Sequence, residues 1–188
     1  FTYDDKTKPI AKHRGLDYAH VQISDFKGRL KDVYIADDTI ATKVQDISFS
    51  DQSGFVVNSL SANVQYNPQQ IDLTSLDFQT PQSCIEANIQ VAYPSTDAFT
   101  TSPELVTLDM ELPLLQLHTK DLHLIYPQFK DLNLLRPQDY VLNASLTLNG
   151  TLADLLLEDI MVQIGNNHLN ATRIALLNPT NADKLQYN

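Results

Sequence analysis

The chain has 188 residues, of which 43% are hydrophobic and 19% are charged, and its formal net charge is −10. This composition argues against disorder, and no apolar run approaches the roughly 20 residues that a membrane-spanning helix needs. The acidic balance and the lack of a Lys/Arg cluster argue against binding to the phosphate backbone of a nucleic acid.

Short segments in which apolar and polar residues alternate follow one another along the chain, and this period of two predicts β-strands. The pattern is found at 21–23, 33–35, 40–44, 47–49, 60–66, 71–73, 76–78, 85–91, 106–112, 146–148, 160–164 and 169–176. Turn-forming groups between them predict hairpins at 37–38, 51–54, 67–68, 81–83, 149–150 and 165–167. We therefore expect an all-β fold, an elongated and curled antiparallel sheet built from repeated hairpins.

Two segments interrupt the alternation. Residues 94–103 are rich in Ser, Thr, Asp and Pro and predict a long loop between a first sheet segment, 1–93, and a second, 104–188, of the same continuous sheet. The stretch 120–127 fits either a strand or a short helix that is ended by Pro127. A weak repeat relates the segments 76–78 and 85–87 to 160–162 and 169–171, and it predicts two equivalent hairpins.

Residues for catalysis or for binding a cofactor do not form a recognisable pattern. There is no Gly-x-Ser-x-Gly turn, the five glycines are isolated, and the five histidines are scattered along the chain. With a single cysteine, Cys84, a zinc site has little support. We expect a protein that is not an enzyme and that needs no metal or cofactor.

One face of such a sheet would be continuously aliphatic and could hold acyl chains, because burying methylene groups requires no specific hydrogen bonds. The candidate lining residues, taken from the alternating segments, are Leu60, Ala62, Val64, Leu76, Phe78, Ile85, Ala87, Ile89, Leu146, Leu148, Ile160, Val162 and Ile164. The same side chains could instead form a closed core between two packed sheets, and alternation does not separate these arrangements.

A series of short stretches, which together cover most of the chain, resembles a known family in order and spacing. The stretches are 1–4, 16–21, 47–55, 60–61, 120–122, 126–127, 146–152, 157–160 and 167–171. Together they resemble the TamB-type translocation and assembly module proteins of Bacteroidetes, which are very large AsmA-like chains. One departure is that Asn149-Gly150-Thr151 stands alone, where the family commonly repeats such Gly-Thr strands.

The resemblance implies an internal fragment of a cell-envelope protein that is anchored in the inner membrane and crosses the periplasm. It implies a curled β-groove of the β-taco type with an apolar lining, and a role in phospholipid transport between the membranes, in outer-membrane protein assembly, or in both. The partners would be phospholipid acyl chains and the outer-membrane assembly machinery, and an open sheet edge would allow a dimer. The alternative is an extracellular carbohydrate-binding or adhesin-like β-sandwich, and a β-helical polysaccharide enzyme has less support because the turn spacing is uneven.

Overall fold

The computed structural model describes residues 1–10, 15–127, 139–179 and 186–187. These residues form one open, curled antiparallel sheet of eleven strands whose spatial order follows the chain, which confirms the predicted fold class. The strands are β1 (Thr2–Asp4), β2 (His20–Ala36), β3 (Thr39–Asp51), β4 (Val56–Asn67), β5 (Gln70–Gln79), β6 (Cys84–Ala92), β7 (Thr107–His118), β8 (Val141–Thr151), β9 (Asp154–Ile164), β10 (Asn167–Leu177) and β11 (Gln186–Tyr187).

Two short helices lie at opposite ends of the strands. Helix α1 (Ala98–Thr101) and a 3-10 turn (Pro103–Leu105) occupy the predicted loop between β6 and β7, and these two strands pair directly. Helix α2 (Thr119–Ile125) follows β7, so the helical interpretation of 120–127 is correct. Its first turn is capped by the His118 side chain, which accepts a hydrogen bond from the backbone N–H of Lys120.

The predicted turn at Asn149-Gly150 is wrong, because both residues lie inside β8 and the turn is formed by residues 152–153. Gly150 has a φ of +136°, and a Cβ atom built on it would lie 2.2 Å from the Asp154 carbonyl oxygen. The glycine is therefore required by the close approach of the β9 backbone and not by a turn.

Alternate strands of the sheet contain β-bulges near their centres. Ser75 in β5 has a φ of +53°, and Asp46 in β3 and Asp159 in β9 have similar left-handed values. The pairing of β5 shifts by one residue here against both β4 and β6. In β7 the pairing register shifts in the same way at Pro113. Proline is suited to a bulge because it cannot donate a hydrogen bond to the neighbouring strand. Each of these bulges bends its strand at a similar depth in the sheet.

The weak sequence repeat corresponds to two hairpins with matching cross-strand pairs. In the β5–β6 hairpin Leu76 lies opposite Ala87, and in the β9–β10 hairpin Ile160 lies opposite Ala171. In both hairpins the aliphatic residue follows directly after the bulge residue. The two hairpins are thus equivalent between the bulge and the turn, whereas beyond the bulge the register shifts in β5–β6 and not in β9–β10.

Candidate functional site

The candidate site is the apolar face of the sheet between β4 and β10. Residues that lie opposite each other in an antiparallel ladder project from the same face, so the register gives the composition of each row. One row consists of Val64, Leu73, Ile89, Met110, Leu148, Leu157 and Ile174. A second row consists of Leu60, Phe78, Ile85, Leu115, Ala144, Val162 and Leu169. Both rows are apolar throughout and cross seven strands.

The bulges are what keep these rows on one face. Along β5 the apolar residues change from odd positions, Ile71 and Leu73, to even positions, Leu76 and Phe78, and the change falls at Ser75. If Ser75 took a regular strand position and no bulge formed, strict alternation would put the second pair on the opposite face. In β9 the apolar positions change in the same way at Asp159, from Leu157 to Ile160.

The structure places all of the predicted lining residues in strands β4, β5, β6, β8 and β9. Nine of these residues are half-buried. The other four are buried, namely Ala62, Ala87, Ile160 and Ile164. On the opposite face, residues such as Gln65, Gln90 and Glu111 are exposed. The apolar face is therefore the less exposed of the two, and the described strands belong to one sheet. The closed core between two packed sheets is not the arrangement found here.

Strand β7 also contributes to this face, although its residues are absent from the predicted lining set. Leu108, Met110 and Leu112 precede the bulge at Pro113, and Leu115 follows it. The alternation over 106–112 predicts that Leu108, Met110 and Leu112 share one face. Leu115 had no such signal, because the proline interrupts the pattern and normally argues against a central strand.

A buried polar cluster fixes one end of the strands. The carboxylate of Asp121 in α2 accepts hydrogen bonds from the hydroxyl groups of Thr80 (2.5 Å) and Ser83 (2.6 Å) in the β5–β6 turn. The Ser83 hydroxyl oxygen in turn accepts a bond from the backbone N–H of His118. Asp121, Thr80 and Ser83 are all buried, so these bonds replace the solvation that the groups lose.

At the opposite end of the strands, next to α1, a small hydrophobic core is formed by Tyr93, Ala98 and Val106, and it joins α1 to the sheet.

The polar face also has a recess, of about 780 Å3, between β2 and β7. A strongly twisted sheet is saddle-shaped, so each face can be concave along one diagonal. Across the recess floor Gln90 donates to Asp72 and Asn88 donates to Glu111, so these amides and carboxylates pair with each other.

The rim of this recess carries an exposed ion pair between Lys43 and Asp32, with an N–O distance of 2.8 Å. The hydrogen bond from Lys43, and then its charge, lower the pKa of Asp32, and Asp32 raises the pKa of Lys43 in the same order of causes. Because both groups are fully exposed, solvent screens the pair and it contributes little to stability.

Among the described residues, no group of His, Cys, Asp and Glu side chains could hold a metal ion. Likewise, none of the helices in the described ranges is long and apolar enough to cross a membrane. No known protein family, curated protein or solved structure matches the chain.

Proposed function

We propose that the chain is a non-catalytic segment of a periplasm-spanning envelope protein and that its apolar face is a groove for phospholipid acyl chains. The observation that carries this proposal is the pair of uninterrupted apolar rows from β4 to β10. A hydrocarbon chain needs contact area and no hydrogen bonds, and each buried methylene contributes about 0.8 kcal/mol. The resemblance to TamB-type proteins supports the cellular setting, which is transport between the inner and outer membranes.

The length of the rows suits this ligand. Six steps between neighbouring strands, at about 4.8 Å each, give roughly 29 Å across the sheet. One leaflet of a bilayer has a hydrocarbon depth of about 15 Å, half of the 30 Å core. A row is therefore long enough to accommodate one acyl chain.

The apolar face becomes more exposed toward β2. Leu30 lies opposite Val44 and Ile35 lies opposite Ile40, so both project from the apolar face, and they are 61% and 69% exposed. In contrast, Ala62 and Ala87, near the centre, are 6% and 4% exposed. This end of the groove is where an acyl chain would enter or leave with the least rearrangement.

A role in outer-membrane protein assembly would use the same face for the apolar side chains of a client strand. The carbohydrate-binding alternative has less support, because the described strands form one sheet and not a sandwich. Its best location would be the polar recess, but the lining of that recess includes no aromatic ring on which a sugar could stack.

Replacing groove residues with aspartate is expected to remove bound lipid. In the Val64→Asp/Phe78→Asp double variant, two carboxylates would project into the groove and would have to be desolvated by any acyl chain that binds. The measurement is native mass spectrometry with lipid extraction, on protein purified in mild buffer from bacterial cells. We expect co-purified phospholipid with the parent chain and at least a tenfold loss with the variant, corresponding to about 1.4 kcal/mol.

The matched control is Asn63→Asp/Gln79→Asp, which places the same charges one residue away, on the opposite face. Circular dichroism identifies any variant that has lost its β-structure. An uncharged variant, Ala62→Phe/Ala87→Phe, fills the groove floor and should lose lipid even if the aspartate variant unfolds. A parent chain that carries no phospholipid, or a control that loses as much lipid as the groove variants, would refute the proposal.

A further inference from the structure

The end of helix α2 is joined to the segment that precedes β2, although the two segments are far apart in the chain. The backbone N–H of Leu16 donates to the carbonyl oxygen of Leu124, at 2.7 Å. The hydroxyl group of Tyr18 donates to the carbonyl oxygen of Ile125, 107 positions later, also at 2.7 Å. Because α2 follows β7, these contacts connect the start of β2 to the end of β7 across the strands that lie between them.

Helix α2 is held firmly at its start and less firmly at its end. Asp121 and Leu122 are buried, and the Asp121 carboxylate is bonded to the β5–β6 turn. Residues 124–127, by contrast, are half-buried or exposed. We call residues 15–18 together with 124–127 the strap. Segments with little burial open locally at a lower free energy than the whole domain, so the strap can separate while the sheet stays paired.

The apolar face is covered at the strap end of β3 and β4 and exposed at their other end. Val57 projects from the same face as Leu60, because the register of β4 against β3 shifts by one residue between them. Val57 is 2% exposed, whereas Ile40 and Tyr66, which lie opposite each other on this face at the far end, are 44% and 38% exposed. The strap belongs to the connecting segments at the Val57 end, where it is placed to cover the apolar face.

We propose that the strap is a cover that holds an apolar ligand at this end of the groove, and that its opening sets how fast the ligand leaves. The exposed side of the groove near β2 admits the ligand, and the closed strap retains it. Opening requires no loss of strand pairing, because neither half of the strap belongs to a strand. This inference deepens the proposed function by naming what controls release, and it rests on that function only for the identity of the ligand.

The test without ligand is the rate at which N-ethylmaleimide modifies Val57→Cys in a Cys84→Ser background. Tyr18→Phe removes the hydrogen bond to the Ile125 carbonyl oxygen and should raise this rate about five-fold, the change expected when one hydrogen bond no longer stabilises the closed state. Tyr34→Phe, the same change at an exposed tyrosine of β2, is the matched control and should leave the rate unaltered. Urea unfolding identifies any variant whose global stability has changed.

The test with ligand locks the strap in a second variant, Leu16→Cys/Leu124→Cys, again in the Cys84→Ser background. The hydrogen bond between these two backbones keeps their Cα atoms within about 6.6 Å, which a disulfide can span. The probe is cis-parinaric acid, a fluorescent long-chain fatty acid, and the measurement is its rate of release to phosphatidylcholine vesicles. We expect release from the oxidised protein to be about five-fold slower or more than from the same protein after reduction.

The outcomes separate the strap from the proposed function. Faster modification of residue 57 with Tyr18→Phe, together with slower release after oxidation, supports the strap. A thiol at residue 57 that reacts equally fast with Tyr18 and with Tyr18→Phe would overturn it, even if the fatty acid binds. Equal release rates from oxidised and reduced protein, or cysteines at 16 and 124 that do not link, would also overturn it. A protein that binds no fatty acid would refute the acyl-chain groove, and the modification rates would still decide whether the strap covers the apolar face.

Discussion

Insertion of one alanine between Ser75 and Leu76 is expected to destabilise the fold by about 3 kcal/mol, since a second extra residue would move Leu76 and Phe78 to the polar face. These two half-buried side chains would lose their share of the roughly 1.5–3 kcal/mol that each contributes when fully buried. In exchange, Asp77 would project from the apolar face. A loss of this size is a large part of the total stability of a typical domain. Urea unfolding followed by circular dichroism measures it as a lower midpoint.

The control at the same position is Ser75→Gly. The left-handed backbone of Ser75 is unfavourable for a residue with a Cβ atom, and glycine adopts it freely, so this variant should be about 1 kcal/mol more stable. The backbone N–H of residue 75, which donates to the side-chain oxygen of Asn88, is kept in this variant. If the insertion variant were as stable as the parent, a single extra residue at this bulge would not be what keeps the apolar residues on one face.

Asp121→Ala is the second substitution with a large expected effect, a loss of about 3 kcal/mol in the free energy of unfolding. Two buried hydroxyl groups, on Thr80 and Ser83, would lose their charged acceptor. Helix α2 has seven residues and is too short to be stable without such contacts. Urea unfolding again measures the total loss, and amide exchange would locate it at α2.

Asp38→Ala is the control, because this aspartate lies exposed in the β2–β3 turn and its removal should change stability by less than about 0.5 kcal/mol. Asp121→Asn should lose less than Asp121→Ala, since the amide keeps one oxygen acceptor. Equal stability of the Asp121→Ala variant and the parent would contradict the anchoring role of this carboxylate.

The fold class and most hairpin turns could be predicted because their signals are local. Alternation identifies a strand without knowledge of its partners, and groups such as residues 51–54 and 81–83 have the composition of tight turns. The thirteen predicted lining residues share one face for the same reason. Alternation carries no information on the ligand of that face, because an apolar row has the same pattern whether it packs on protein or on lipid.

The features that could not be predicted depend on partners that are distant in the sequence. Alternation predicts separate strands at 40–44 and 47–49, whereas these segments are the two halves of β3 on either side of the bulge at Asp46. The change from even to odd apolar positions was the available signal for it. Asp121 had no signal, because its partners Thr80 and Ser83 lie about forty residues earlier in the chain.

The order of the strands has a consequence for how the protein forms. Each strand after β1 lies beside the strand that precedes it in the chain, and most of these pairings close a short hairpin turn. Contacts between residues close in sequence lose little chain entropy on forming, which favours rapid folding. The sheet can therefore grow by successive addition of strands as the chain emerges from the ribosome, without waiting for its C-terminal part.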